Sequence, residues 1–569
     1  MRRAAAVLRV LAALGIAVTG WALAWSADAL VAGRDAIDSV RAAEAADFIE
    51  GRPLPDLRRA RRHLLDADER LRGPLLAPVR AMPVVGRQLR SLATVSRAAA
   101  AVAGTGVTSL TRAREVIGDG DVEGRASGLV ALELSAVAAD TRGELQGLDL
   151  GPARGLLGPV ADARRELDDQ LADLDAALER GAAGGRALAT LLAGPRRYLV
   201  VAANNAEMRA GSGMFLSLGE LETGGDALRL GEMQPAELLP VPQGAVPLEG
   251  DLRDRWGWLS PTEDFRNLML SPRFDAQAPL AARMWQATGH APVDGVISLD
   301  PVALKGMLAA TGPVVVEGRE FDVDSVLQEL LHDQYVRFSR EATPERRQQL
   351  GKLARAVFER LGAGGLSVPE LARGLLPAIE GRHVLAWSAR PDEQQDWAVA
   401  GVDGSLTADS LLVAVNNRGG NKLDQFLDVS SGLEVAEAGR DTLLTVRVTL
   451  RNRTPTGEPR YIAGPAEGSG VGEGVYLGIV SLSLPGAALD AYVEGEREVA
   501  VAGPDGPGQV IGLQLAVGRG EQRTVVVRFR LPGRDGSVVV EPSARVPAIT
   551  WTSGRLRWAD SARHVVSWA

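Results

Sequence analysis

Residues Arg197–Leu221 read RYLVVAANNAEMRAGSGMFLSLGEL, and the reading of the middle of the chain turns on them. An apolar run, Tyr198–Ala203, ends at a polar, glycine-containing turn, and a second apolar run follows from Met214 to Leu218. Short runs of this kind bounded by Asn and Gly predict two strands joined by a loop. The loop holds Asn204, Asn205, Glu207, Arg209 and Ser212. Asn and Ser side chains commonly satisfy turn backbone. Five polar groups of both charge signs at one strand end also match the place where open α/β sheets bind ligands. These five are the first candidate ligand-binding residues.

Toward the C-terminus, Ala291–Gly318 (APVDGVISLDPVALKGMLAATGPVVVEG) predicts a short β-α-β unit. Val293–Leu299 reads as a strand. Asp300 is placed as an N-cap, and Pro301 stands at the first helical position, where its missing N–H costs nothing. Leu304, Met307 and Leu308 give the helix its buried face, Thr311-Gly312-Pro313 ends it, and Val314–Val316 is the next strand. The following segment contains YVRFSR, with Arg337 and Arg340, and then Thr343-Pro344-Glu345, which opens another helix. The apolar stripe of that helix is Leu350, Leu353, Ala354, Val357, Phe358 and Leu361; extended back one turn it reaches Arg347. A cation on the inner face of a first turn opposes the helix dipole unless an anion lies nearby, which is either a protein carboxylate or a bound phosphate.

At the N-terminus, Arg2, Arg3 and Arg9 precede an apolar run from Val10 to Trp25. This pattern predicts a single-pass signal-anchor helix with the N-terminus cytoplasmic, the main body extracytoplasmic, and Trp21 and Trp25 at the interface. A cleaved signal peptide is the alternative, against which the bulky Trp25 stands near the small residues Ala24, Ser26 and Ala27. From Asp28 to about Leu192 the chain is Ala- and Leu-rich with helical spacing, for example Leu157, Val160, Leu167, Leu171, Leu174 and Leu178. MPVVGRQL (Met82–Leu89) interrupts it. From Asn421 onward, alternations such as Val446-Arg447-Val448-Thr449-Leu450 mark half-buried strands joined by Gly/Pro turns. The expected architecture is therefore multidomain. It comprises a membrane helix over 1–27, an α-helical bundle or stalk over 28–193, a central α/β domain over 194–420 and an antiparallel β-sandwich over 421–569.

Composition narrows the chemistry. The chain has no cysteine, which excludes disulfides, thiolate zinc sites and cysteine nucleophiles. A net charge of −9 argues against general nucleic-acid binding while permitting a local basic pocket. Lysine occurs only at Lys305, Lys352 and Lys422, so nearly all basic charge is arginine; arginine suits bidentate phosphate or carboxylate contacts, but a bias this general is first a matter of genomic base composition. No phosphate-binding P-loop, HExxH or GxSxG motif is present, and the five histidines lack metal-type spacing. Glu207, Glu232, Asp264, Asp300 and Asp333 are candidate oxygen ligands for Mg²⁺, with surface salt bridging as the alternative.

The NNAEMRAGSGMFLSLGEL turn, PTEDFRNLMLSPRF (Pro261–Phe274), the β-α-β unit and NKLDQFLDVS (Asn421–Ser430) together resemble a bacterial envelope family, domain-of-unknown-function family 4012. The resemblance implies an anchored extracytoplasmic protein and brings no established activity. The order β-α-β, YVRFSR, RRQQL also resembles the LytR-CpsA-Psr cell-wall glycopolymer transferases. That resemblance implies Mg²⁺ and a polyprenyl-pyrophosphate-linked glycan, with Arg337, Arg340, Arg347 and Gln348 at the positions of the family's arginine segment and Arg-Gln helix start. The chain departs from those enzymes at Ser212-Gly213-Met214 and at Glu232-Met233-Gln234-Pro235, where they carry acidic ligands. The functional expectation is an envelope protein that binds a phosphate-bearing glycan or lipid-linked carrier. The sequence leaves open a glycopolymer phosphotransferase and a non-catalytic surface scaffold.

Overall fold

The computed structural model describes residues 28–33, 35, 51–118, 127–225, 227–338, 343–363, 368–465, 468, 470–495 and 498–568. The chain divides into two compact units, residues 1–125 with 129–186, and residues 126–128 with 187–569.

The first unit is helical, holding α1 (Leu54–Arg72), α2 (Val85–Ile117) and the greater part of α3 (Ser127–Gln146) and α4 (Gly158–Ala193), whose residues 127–128 and 187–193 fall in the second. Leu57, Ala60, Leu64, Ala67 and Leu71 recur at three- and four-residue spacing and are all buried. Leu57, Ala60 and Leu64 meet Ala99, Ala100 and Ala103 of α2, small residues that let the two helices approach closely. Buried Asp68 is matched by Arg72 at 2.5 Å and Arg97 at 2.7 Å. Arg142 of α3 bridges to Asp175 of α4 at 2.9 Å. The expected membrane helix over 1–27 lies outside the described residues. Among the described residues no helix is long and apolar enough to cross a membrane. The longest, α2 and α4, carry charges along their length, such as Arg164, Arg165, Glu166 and Asp168, which a spanning segment excludes. The fold class headed by a membrane helix is thus corrected to a multidomain α/β architecture with several sheets.

The second unit begins with a mixed sheet. Its strands are β1 (Arg196–Asn204), β2 (Met214–Gly224), β3 (Ala227–Leu230), the two-residue β4 (Gln234–Pro235), β5 (Gly295–Leu299) and β8 (Val384–Ser388); β6 (Val314–Val316) and β7 (Arg319–Phe321) lie apart from it. The order is β3-β2-β1-β5-β8 with β4 on β2, and only β1 and β5 run parallel. Four helices matter here: α5 (Phe274–Ala287), α6 (Pro301–Thr311), α7 (Thr343–Ala363) and α8 (Val368–Glu380). Tyr198 and Val200 enter a core with Met307 and Leu308 of α6 and Leu353 and Val357 of α7. Leu199 and Val201 enter the opposite core with Phe274, Met284 and Trp285 of α5. Burial on both faces is why β1 is apolar without alternation.

Asp300 caps α6, accepting from the backbone of Val302 at 2.9 Å and Ala303 at 3.1 Å. Gly306 of α6 and Gly374 of α8 sit backbone to backbone, where a Cβ on either would collide with the other's carbonyl. The expected β-α-β unit is corrected at its last strand: among the described residues β6 pairs only with β7, in a separate hairpin. Both edges of β5 are already taken, by β1 and β8, so no place remains for it.

The remaining strands form two six-stranded sheets around one core. They are β9 (Ser410–Asn417), β10 (Leu427–Ala438), β11 (Asp441–Asn452), β12 (Tyr476–Leu484), β13 (Leu489–Val493), β14 (Val501–Asp505), β15 (Gly508–Val517), β16 (Gln522–Pro532), β17 (Gly536–Val540), β18 (Thr550–Ser553), β19 (Leu556–Ala559) and β20 (His564–Trp568). The orders are β13-β16-β11-β10-β18-β19 and β14-β15-β12-β9-β17-β20. Val446, Val448 and Leu450 of the first sheet meet Leu411, Val413 and Val480 of the second. The sheets are not wholly antiparallel, because β17 pairs parallel with β9 and β18 with β10. Hairpins impose antiparallel pairing only on consecutive strands, and both of these return from far along the chain. The second sheet draws in β9, upstream of residue 421.

Candidate functional site

The loop between β1 and β2 is shaped by its own backbone. Asn204 O accepts from Glu207 N at 3.3 Å, and Glu207 O from Met214 N at 2.9 Å. Ser212 and Gly213 both take positive φ, 88° and 114°. A Cβ on Gly213 would lie 2.7 Å from Asn204 O, so glycine is required there.

Four of the five polar side chains of this loop divide into two pairs, and the fifth, Asn204, bonds Tyr335. Asn205 and Ser212 face inward, to Asp300. Asn205 Nδ2 donates to Asp300 Oδ2 at 2.9 Å and to Ala544 O at 2.9 Å, and Ser212 Oγ lies 3.4 Å from the same Oδ2. His383 Nδ1 reaches that oxygen at 2.5 Å. Serine, histidine and aspartate thus converge, but the hydroxyl is on the carboxylate rather than on the imidazole, so the relay of a nucleophilic triad is not formed. This group joins the loop to the cap of α6 and to the sandwich.

Glu207 and Arg209 face a cleft of about 390 Å³. Glu207 pairs with Lys422, both side chains being 8% exposed. Lys422 Nζ lies 5.3 Å from the centroids of both Tyr335 and Tyr461, whose rings meet edge to face at 5.3 Å. Arg346, at the start of α7, sits over the same two rings at 5.0 and 5.9 Å. Asn204 Nδ2 donates to Tyr335 Oη at 2.9 Å, placing that tyrosine against the strand end. Burial pushes the Tyr335 hydroxyl well above its usual range, so it is a neutral phenol.

Arg209 is 7% exposed and Arg346 3%. Nη1 of Arg209 donates to Met208 O at 3.0 Å and Asn417 O at 2.6 Å, and Nη1 of Arg346 to Gln334 Oε1 at 3.1 Å. Each Nε lacks a hydrogen-bond partner, and neither guanidinium forms an ion pair with a carboxylate among the described residues. Burial holds the Arg209 guanidinium below its ordinary value, an effect that the nearby Glu207 and Asp424 charges oppose. Arg266 and Arg460 complete five cations on the lining, against the carboxylates of Glu207, Glu237 and Asp264. Asp264 is gripped by its neighbour Arg266 at 2.6 Å. The cleft carries a positive excess of two, five against three.

Three segments quoted from the sequence meet here: the β1–β2 loop, Asp264 with Arg266, and Lys422. Asp424, two residues beyond Lys422, ties the β1–β2 loop to the sandwich, accepting Met208 N at 3.0 Å, Asn417 Nδ2 at 2.8 Å, Tyr476 Oη at 2.9 Å and Arg545 Nη1 at 3.0 Å.

The other predicted arginines are not gathered into the cleft. Arg337 pairs with Glu329, which it shares with Arg319. Arg340 lies outside the described residues, as does the side chain of Arg347. Arg346, four residues before Leu350 on that helix, is buried. Stepping back from the stripe by four rather than three would have found it. Lys422 had the signal of being one of three lysines; nothing in the sequence marked Tyr461.

The residues do not fit a Mg²⁺ ion held between carboxylates. Glu207 and Asp264 are tied to cations, Asp300 is buried among Asn205, Ser212 and His383, Asp333 bonds His332 at 2.8 Å, and Glu232 is exposed. Among the described residues no group of three potential ligands converges.

Residues 193–335 match the model of a family described as "Protein of unknown function (DUF4012)". The match takes in the β1–β2 loop, Asp264, Arg266 and Tyr335, and ends before Arg346, Lys422 and Tyr461. No curated protein and no solved structure matches the chain. The transferase resemblance therefore rests on sequence segments alone.

Proposed function

We propose that the cleft binds the phosphate of an envelope glycan or of a polyprenyl-linked carrier, and that the protein works outside the cytoplasm. One observation carries the reading: Arg209 and Arg346 are buried side chains on one cleft, and neither has a carboxylate partner among the described residues. A buried cation is costly unless an anion accompanies it, and guanidinium groups match phosphate oxygens in pairs. The lipid half of the proposal is supported by a neighbouring apolar cavity of about 110 Å³, lined by Val200, Leu304, Met307, Leu350 and Phe358. Leu216 lines both spaces, and Tyr335, which walls the cavity, carries Lys422 and Arg346 on its ring. We propose binding rather than transfer, since each carboxylate on the cleft lining already has a cation: Glu207 pairs with Lys422, and Asp264 and Glu237 both lie against Arg266, at 2.6 and 3.7 Å.

The test is binding of a polyprenyl pyrophosphate analogue to the purified chain, with and without Mg²⁺, beside inorganic pyrophosphate. Saturable binding of both is expected, tighter for the analogue. Arg346→Gln should weaken each by roughly ten- to a hundredfold, the scale of one charge-assisted contact. No saturable binding by the intact chain would leave a non-catalytic scaffold as the better reading. Equal affinity for the two ligands would remove the lipid half. A reporter fused after Ala569 should be active only outside the cytoplasm.

A further inference from the structure

The outer face of one sandwich sheet carries a second basic cleft, sharing no residue with the first. Strands β11, β10, β18 and β19 lie side by side, with Arg447 opposite Gly432, Gly432 opposite Thr552, and Thr552 opposite Arg557. In the next outward-facing row Thr449, Ser430 and Thr550 align in the same way. The alternation that sends Val446, Val448 and Leu450 into the core sends Arg447, Thr449 and Arg451 outward. The result is a cleft of about 640 Å³, floored by hydroxyls and by Gly432 and cornered by arginines.

Asp428 is matched by Arg453. Arg447, Arg451 and Arg557 have no ion-pair partner among the described residues. Four arginines stand against Asp428 and Glu434, a local excess of two positive charges on a chain whose net charge is −9. Arg447 and Arg451 are four residues apart on one strand, roughly 14 Å, and Arg447 and Arg557 are three strands apart, also about 14 Å. A single phosphate or carboxylate occupies one corner. A polymer with repeated charges occupies several, and each further contact is then intramolecular. The serine and threonine floor presents donors and acceptors to sugar hydroxyls. No lining side chain is aromatic, which disfavours stacked bases and the aromatic anchors of protein interfaces.

We infer that this face binds an anionic polysaccharide, laid across the four strands with its acidic groups on Arg447, Arg451 and Arg557 and its hydroxyls on Ser430, Thr449, Thr550 and Thr552. The site is independent of the phosphate cleft and holds the polymer rather than its linkage.

The experiment is a titration of the full chain with polygalacturonate, with neutral dextran and with single-stranded DNA of similar length. It is run on the parent, on Arg447→Gln/Arg557→Gln and on Arg346→Gln. Both substituted positions in the double variant are exposed, so folding is preserved and is checked by tryptophan emission. Polygalacturonate should bind saturably and dextran should not. The double variant should bind roughly tenfold more weakly, the scale of losing two exposed ion pairs, and Arg346→Gln should bind as the parent does. Absence of polygalacturonate binding, an undiminished double variant, or equal affinity for DNA would each overturn the inference, the last by showing a generic polyanion surface.

Discussion

Replacing Glu207 by glutamine sets stability against binding in a single variant. Glu207 is the carboxylate that offsets Lys422, and Lys422 shares the faces of Tyr335 and Tyr461 with Arg346. Removing the charge leaves an ammonium buried beside a guanidinium. Breaking one side of a buried pair costs about 3–5 kcal/mol, whereas replacing both partners by apolar groups is close to neutral. Glu207→Gln should therefore lower stability by about that amount, and Glu207→Leu/Lys422→Met, which makes both partners apolar, should recover most of it. The positive excess of the cleft rises from two to three in the single variant, so pyrophosphate should bind it more tightly than the parent. Ligand at a hundred times its Kd would restore about 2.7 kcal/mol. Urea unfolding followed by tryptophan emission reports chiefly on the second unit, because eight of the ten tryptophans lie in it and residues 28–186 contain none. A single variant within about 0.5 kcal/mol of the parent, the ordinary range for an exposed substitution, would refute the reasoning. So would pyrophosphate that stabilises the variant less than the parent.

Three further outcomes are expected. His332 lies between Asp333 at 2.8 Å and Glu458 at 3.2 Å; burial lowers its pKa, but the two carboxylates outweigh burial and raise it. With a folded pKa above the unfolded value, its contribution to stability is full below about pH 6.5 and is lost as pH rises through the folded value; His332→Gln should flatten that part of the pH–stability curve. Burial pushes Asp560 up to about 6, against its backbone bonds to Ser543 and Ile549. Here too stability is greatest below the unfolded pKa and declines as pH rises through 6, by on the order of 2–3 kcal/mol; comparing Asp560→Asn with the parent at pH 4.5 and 7 should show the parent losing ground. Arg337→Ala should leave pyrophosphate binding within about twofold, since its guanidinium serves Glu329 and not the cleft; a titration showing a larger loss would return Arg337 to the site.

Local elements were legible where their cause is local. Asp300-Pro301 announces a helix start because an N-cap and a first-position proline act within three residues, and the structure shows that cap bonded. The run Tyr198–Ala203 and the alternation through Val446–Leu450 read as strands because burial on two faces or one leaves its period in the sequence. Pairing was less legible: Val314–Val316 has strand composition, yet which edge it joins depends on β1 and β8 having taken both edges of β5.

The sequence by itself determined the polar loop at the end of β1, the absence of thiol chemistry, and an arginine-dominated basic complement. It also placed Glu207, Arg209 and Lys422 in stretches that stand out from their surroundings. Only the tertiary structure decided that Glu207 and Lys422, 215 positions apart, form one buried pair. It alone decided that Arg346 rather than Arg337 reaches the cleft, and that Asn205 and Ser212 are spent on Asp300. The reason is physical. Capping and strand period are set by neighbours along the chain, whereas the worth of a charge depends on burial and on which opposite charge lies within a few ångströms, and both are fixed only when distant segments pack.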